Sequence, residues 1–224
     1  MRWVIISVIV LFIPIAASAE LDPFEISLGG GMSLPANPTE FANYWHTGQY
    51  FNVELGQKVS RYWYLTFSVE YGRYAFDADS YPVPIILLSR VASAKPGPEG
   101  QGDTQYLNPV ILNRDGDHAR TVAVLFGARM YANAVDRTAA PFLAGQVGYF
   151  KHSGKTQITW NYSDIYNWTG IDGDGVLLAL NLGLDFSLSK HLLPFVKFGF
   201  GYSFLNNGKT TQFFPLTAGL RFRL

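Results

Sequence analysis

Apolar and polar residues alternate along the chain in eight segments of about ten residues each. In the segment 192–204, for example, Val196 and Phe198 fall on one face, while Lys197 and Gly199 fall on the other. The eight segments are 24–34, 49–59, 63–74, 120–131, 141–151, 176–188, 192–204 and 213–224. Alternation of this kind predicts β-strands that each have one apolar and one polar face.

The connections between these segments alternate in length. Those at 60–62, 132–140 and 189–191 are short, whereas those at 35–48, 75–119, 153–175 and 205–211 are mostly long. An even number of strands, with short turns on one side and long loops on the other, is the layout of an outer-membrane barrel. The pattern therefore predicts an all-β fold, a closed antiparallel 8-stranded transmembrane β-barrel that spans residues 20–224.

A soluble β-sandwich or lipocalin-like barrel would also alternate, with its apolar face in the core. The polar faces here are unusually rich in glycine, including Gly29, Gly127, Gly183 and Gly199, and the chain has 22 glycines and 16% aromatic residues. Small residues suit a crowded barrel interior, and the Leu-, Phe- and Val-rich faces suit lipid. These features favour the membrane barrel.

The segment 75–119 is the least regular part of the pattern. Its apolar flanks alternate poorly and are interrupted by Pro84 and Pro109, and proline is rare inside paired strands. We interpret it as an outer loop that lies over or beside the barrel mouth. A ten-stranded barrel is the alternative if 84–113 forms an extra hairpin.

The first 19 residues have the pattern of a secretory signal peptide. Arg2 precedes an apolar run over 3–15, and Ala17-Ser18-Ala19 fits a cleavage site. We therefore expect export through the secretory pathway, with the barrel as the mature chain. The chain has no cysteine and carries 17 basic against 17 acidic side chains, so neither a disulfide framework nor a nucleic-acid partner is indicated.

Strand parity places nine charged residues on the inward faces of the barrel. They are Glu25, Glu54, Lys58, Glu70, Arg129, Asp185, Lys197, Arg221 and Arg223. An eight-stranded lumen is only wide enough to be filled by side chains, and unpaired charges there would be costly. We therefore predict a lumenal charge network and a plugged lumen, with Arg221 and Arg223 meeting carboxylates such as Glu25 or Glu54.

Aromatic residues cluster near the predicted strand ends. Tyr62, Trp63 and Tyr64 flank a short turn, and Tyr71 and Tyr74 fall near the outer end of the same strand. Such positions predict the aromatic girdles of a membrane barrel. A carbohydrate-binding platform is the alternative.

Few residues suggest catalysis or metal binding. Asp115-Gly116-Asp117 and Asp172-Gly173-Asp174 are interpreted as solvated turns, because neither continues as a calcium loop. His152 and Ser153 are adjacent, so on a strand they point to opposite faces and cannot pair. We predict no catalytic residue, no metal site and no cofactor.

The architecture, together with "AGQVGYF" at 144–150, "FGFGYSF" at 198–204 and the C-terminal "TAGLRFRL", resembles the small outer-membrane β-barrel superfamily that includes the OmpA membrane domain, OmpX and OmpW. The resemblance implies an assembly signal at Thr217, Gly219, Phe222 and Leu224, although the family usually ends in an aromatic residue. It also implies the outer membrane as the location, with outer-membrane lipid, lipopolysaccharide and the barrel-assembly machinery as partners. We expect a monomer.

Three functions are compatible with this pattern. The first is a non-enzymatic barrel that acts in envelope integrity, adhesion or surface contacts through its outer loops. The second is a narrow or lateral conduit for small apolar molecules, which would use the 75–119 loop. The third is a lipid A-modifying enzyme at the outer rim.

Overall fold

The computed structural model describes residues 24–77, 111–132, 139–154, 156–160, 165–168 and 172–224, so the predicted signal peptide lies outside it. No helix in these ranges is long and apolar enough to cross a membrane. The described elements are β1 (Phe24–Asn37), α1 (Thr39–Tyr44), β2 (Gly48–Lys58), β3 (Trp63–Tyr74), β4 (Ile111–Gly116), β5 (Ala119–Tyr131), β6 (Ala139–Ser153), β7 (Thr156–Trp160), β8 (Ile165–Trp168), β9 (Gly173–Phe186), β10 (Leu192–Leu205) and β11 (Thr210–Arg223).

Eight strands close into an antiparallel barrel in the order β1-β11-β10-β9-β6-β5-β3-β2. The first and last strands close it, with pairs that run from Glu25 opposite Arg223 to Asn37 opposite Gln212. Closure gives every barrel strand two neighbours, so its backbone groups need no partner from lipid. The predicted 8-stranded barrel is confirmed.

The ten-stranded alternative is wrong. Residues 111–113 of its proposed extra hairpin lie in β4, which pairs with β7 in a separate three-stranded sheet of order β4-β7-β8. Residues 84–110 of the same region lie outside the described part of the chain. Apart from Ala119, which begins β5, the described residues of the 75–119 segment therefore contribute no strand to the closed barrel.

The alternating pattern has the predicted orientation. Apolar side chains of the barrel strands point outward and stay exposed, for example Leu180 at 57%, Leu182 at 63% and Phe198 at 51%, while polar neighbours such as Asn181 and Lys197 are buried. A soluble protein would bury the apolar face instead. The exposed apolar face is the surface that a bilayer covers.

The two ends of the barrel differ. At one end, the short-turn end, residues 59–62 and 187–191 form tight connections in which Val59 and Leu188 donate backbone hydrogen bonds to the carbonyls of Trp63 and Leu192. At the other, the loop end, lie α1 and the β4-β7-β8 sheet. The Trp45 indole there donates a hydrogen bond to the Asp117 carbonyl at 3.2 Å, which connects the segment after α1 to the segment after β4.

Gly219 sits where the first and last strands approach each other closely. A Cβ at this position would lie 2.1 Å from the Leu28 carbonyl oxygen and 2.7 Å from the end of the Phe195 ring. Backbone cannot move away as a flexible side chain could. Gly145, by contrast, faces outward, and a Cβ there would meet only a Leu180 methyl at 3.8 Å.

We expect Gly219→Ala to impair barrel closure and Gly145→Ala to leave it intact. The added methyl at 219 should lower the free energy of unfolding by about 1–3 kcal/mol, as overpacking does. Refolding of the purified chains from urea into detergent, followed by the gel-mobility difference between folded and boiled barrels, measures the folded yield. Equal yields for the two variants would contradict the tight approach of β1 to β11. Because no assembly machinery is present in this experiment, a lower yield reports on packing and not on recognition of the assembly signal.

Candidate functional site

Two buried arginines form the centre of a charge layer inside the barrel, near the short-turn end. Arg129 forms a short ion pair with Glu25 and lies 2.7 Å from Glu54. Arg221 forms a short ion pair with Asp185 and lies 3.6 Å from Glu54 and 3.8 Å from Glu25. The two cations and three carboxylates come from β1, β2, β5, β9 and β11, so closure of the barrel brings them together.

Aromatic rings enclose the same charges. The Tyr131 hydroxyl donates to Asp185 at 2.5 Å and accepts from Arg221 at 2.6 Å. The Arg129 guanidinium carbon lies 4.9 Å from the centre of the Tyr64 ring, and that of Arg221 lies 5.2 Å from the Phe195 ring. Contact with aromatic faces stabilises cations, so rings and carboxylates together replace the water that these guanidinium groups lose.

The nine predicted lumenal residues are not one network. Six of them join the charge layer: Glu25, Glu54, Arg129, Asp185, Arg221 and Arg223. Arg223 lies at its edge, 3.2 Å from Glu25 and partly exposed. Lys58 is half-buried and has no ion pair with another described residue.

A second, mostly uncharged layer fills the middle of the lumen. The Gln146 amide donates to Thr66 and Ser68, each at 3.2 Å, and accepts from Asn181 at 3.3 Å. The two remaining predicted charges, Glu70 and Lys197, are buried at 4% exposure each. Sequence reasoning missed the amide and hydroxyl contacts because it sorted only charges, although the same strand parity marks these residues as inward.

A third layer, the aromatic plug, closes the loop end. Phe41 from α1 packs against the Tyr74 ring at 4.8 Å and the His152 ring at 4.5 Å, and Phe150 stacks on Phe213 at 5.8 Å. The Tyr74 hydroxyl donates to Ser33 at 2.9 Å. The sequence pattern did not indicate this plug, because Phe41 lies in a connection rather than in a strand.

The predicted aromatic girdle is wrong at two of its five positions. Trp63 and Tyr71 are exposed on the outer wall, at 46% and 37%, and Tyr62 is exposed in the short turn, at 39%. Tyr64 and Tyr74 instead point into the lumen, at 2% and 0% exposure. Because neighbours along a strand alternate, an outward Trp63 requires an inward Tyr64.

The predicted assembly-signal residues divide between the two faces of β11. Thr217 is buried in the lumen and Gly219 lies at the closing pair, whereas Phe222 and Leu224 are exposed on the outer wall at 39% and 71%. The backbone N–H of Leu224 donates to the Phe24 carbonyl at 2.8 Å, which ties the end of the chain to the first strand.

His152 and Ser153 lie on opposite faces of β6. The His152 ring is fully buried among Phe41, Phe150 and Thr211, while Ser153 is partly exposed. Within the described ranges, no group of three His, Cys, Asp or Glu side chains is placed to hold a metal ion. The second Asp-Gly-Asp run is not the predicted solvated turn, because Gly173 and Asp174 lie in β9 and pair with β6. Asp172, just before β9, accepts a hydrogen bond from the Gly154 N–H at 3.0 Å, which connects the start of β9 to the end of β6.

The solved structures to which the chain is similar include outer-membrane proteins. The chain matches neisserial surface protein A (NspA) at a TM-score of 0.51 and 12% identity, over 90% of this chain and 97% of that one. It matches Ail, the attachment invasion locus protein of Yersinia pestis, at 0.49 and 16% over 89% and 98%, and OprG from Pseudomonas aeruginosa at 0.48 and 11% over 90% and 95%. No protein-family model and no curated protein sequence matches the chain.

The likeness to NspA shows the fold alone, and that fold is a small closed antiparallel β-barrel. The resemblance noted from the sequence is therefore confirmed at the level of architecture.

We expect Arg129→Met to destabilise the barrel strongly, because it leaves Glu25 and Glu54 as buried charges without their main partner. Breaking a buried ion pair from one side typically costs about 3–5 kcal/mol. Arg61→Met removes an exposed arginine in a short turn and should leave the free energy of unfolding unchanged. Urea unfolding in detergent micelles, followed by tryptophan fluorescence, measures both.

A double variant tests whether the loss of stability comes from the unpaired buried charges. Arg129→Met combined with Glu54→Gln removes one cation and one neighbouring anion, so it should recover part of the loss. An Arg129→Met protein as stable as the Arg61→Met control would contradict a structural role for the charge layer.

Proposed function

We propose that this protein is a non-enzymatic outer-membrane barrel whose lumen is plugged by its own side chains and which acts through the surface at its loop end. Its work would then be contact at the cell surface, in envelope integrity or adhesion, rather than passage of solutes. The observation that carries this proposal is the burial of Arg129 and Arg221, both 1% exposed in the centre of the lumen.

Three successive layers support a closed lumen. The charge layer, the amide and hydroxyl layer and the aromatic plug each draw side chains from several strands or from α1. A water-filled channel would leave its charged lining hydrated. Here the charges are held by carboxylates and rings at direct-contact distances, which leaves the fixed wall and the loops as the functional surfaces.

The two alternative functions gain no support from a specific contact. The apolar conduit depended on the 75–119 loop, of which residues 78–110 lie outside the described part of the chain. The lipid A-modifying enzyme depended on His152, which packs among aromatic rings and faces away from Ser153. The contacts of His152 therefore do not place a nucleophile beside a base, as hydrolysis would require.

We expect the purified protein to give no stable open-channel steps in planar bilayers. The Phe41→Ala/Trp45→Ala variant should also stay closed, because it opens only the aromatic plug and leaves the charge layer in place. Discrete conductance steps from the unmodified protein would overturn the plugged-barrel proposal. Steps from the variant alone would show that the aromatic plug is the only barrier.

We expect the loop end to face the outside of the cell. The chain has no cysteine, so single cysteines report accessibility without background. Asn207→Cys, in the turn between β10 and β11, should react on intact cells with a membrane-impermeant maleimide. Lys190→Cys, at the short-turn end, should react only after the outer membrane is opened, and the reverse pattern would contradict the proposed orientation.

The proposal includes export through the secretory pathway, assembly by the barrel-assembly machinery and a monomeric state. The inward Thr217 and outward Phe222 and Leu224 at the chain end support recognition by that machinery, although Leu224 stands where an aromatic residue is usual. A barrel closed by its own first and last strands needs no second copy to satisfy its edges.

A further inference from the structure

Three basic side chains project from the outer wall at the loop end. Arg73 on β3, Arg120 on β5 and Lys151 on β6 are all exposed and share the outward parity of the apolar band. These strands are neighbours in the barrel. We call these three residues the basic rim cluster.

The register places like charges directly against each other. Arg73 is the cross-strand partner of Arg120, and Lys151 is the partner of Val122, two residues further along β5. Like charges directly opposite on a sheet are destabilising. Within the described residues, none of the three forms an ion pair with a carboxylate within 4.0 Å, so an external anion would relieve the repulsion.

The depth of the basic rim cluster indicates where that anion lies. Each base is two residues beyond an outward Tyr71, Val122 or Tyr149, the last members of the lipid-facing rows on these strands. Tyr71 and Val122 are 37% and 40% exposed on that wall. Bases immediately above the apolar band lie at headgroup depth, where they are placed to contact a membrane lipid rather than a soluble anion.

A cavity of about 740 Å³ adjoins the cluster and has a mixed lining. Arg120, Lys151 and Tyr149 line it together with Asp172 and Asp174. Asp174 is the cross-strand partner of Lys151 and accepts a hydrogen bond from the Tyr149 hydroxyl at 3.4 Å. Carboxylates beside an anion site are unfavourable for a bare phosphate, but they accept hydrogen bonds from sugar hydroxyls.

We propose that the basic rim cluster and this cavity bind a phosphorylated sugar headgroup of an outer-leaflet glycolipid, the class to which lipid A belongs. Arg73 and Arg120 hold the phosphate, since guanidinium groups bind phosphate with paired hydrogen bonds. Lys151 adds positive charge, and Asp172 and Asp174 accept hydrogen bonds from the sugar hydroxyls. The proposal rests on the outer-membrane placement proposed above.

The test uses the full-length mature protein in detergent and native mass spectrometry with three probes: bisphosphorylated lipid A, its dephosphorylated form and phosphatidylglycerol. We expect lipid A to bind best, and Arg73→Gln/Arg120→Gln to weaken its binding about tenfold or more. Arg61→Gln/Lys190→Gln removes two exposed charges from the opposite end and serves as the matched control. The gel-mobility shift verifies that each variant is folded.

Each other outcome overturns part of the proposal. Equal binding of lipid A by both double variants would remove the basic rim cluster as the site. Equal binding of phosphatidylglycerol would show that the site does not recognise the sugar. Competition by millimolar inorganic phosphate, without selectivity among the lipids, would show that the site binds a soluble anion. None of these results affects the bilayer conductance test, so failure of this site and failure of the plugged-barrel function are distinguishable.

Discussion

The pairing of Arg129 and Arg221 with Glu25, Glu54 and Asp185 is the constraint on which the rest of the structure depends. The five residues come from five strands that are distributed along the chain from β1 to β11. Each charge would be costly inside the barrel without its partners. Only a closed sheet in the observed register places them together, so the charge layer stabilises this strand arrangement relative to its alternatives.

The barrel separates two environments by a single strand thickness. Its outer wall presents Leu, Phe and Val side chains that need lipid, and its lumen contains polar groups that need one another. An eight-stranded lumen has room for side chains but for little else. The interior is consequently used for packing, and we propose that recognition takes place at the loop end and its rim.

Particular residues show which features of the barrel the sequence pattern predicted and which it did not. Period-two alternation predicted all eight barrel strands, and parity placed Arg221 and Arg223 beside carboxylates of the lumen. The same parity predicts that Tyr64 and Tyr74 point inward, as the structure shows, whereas their nearness to the strand ends indicates a girdle. The aromatic plug could not be predicted, because Phe41 reaches His152 only through the fold of a connecting segment.

The sequence by itself determined which face of each strand is apolar and where each barrel strand begins and ends to within three residues, because alternation and turn residues are local properties of the chain. Only the tertiary structure decided which charges meet, that β4 leaves the barrel for a separate sheet, and that Arg73 lies opposite Arg120. Those facts depend on the register between strands far apart in sequence. Register is set by the closed barrel as a whole, since one shifted pair would displace every layer of the lumen.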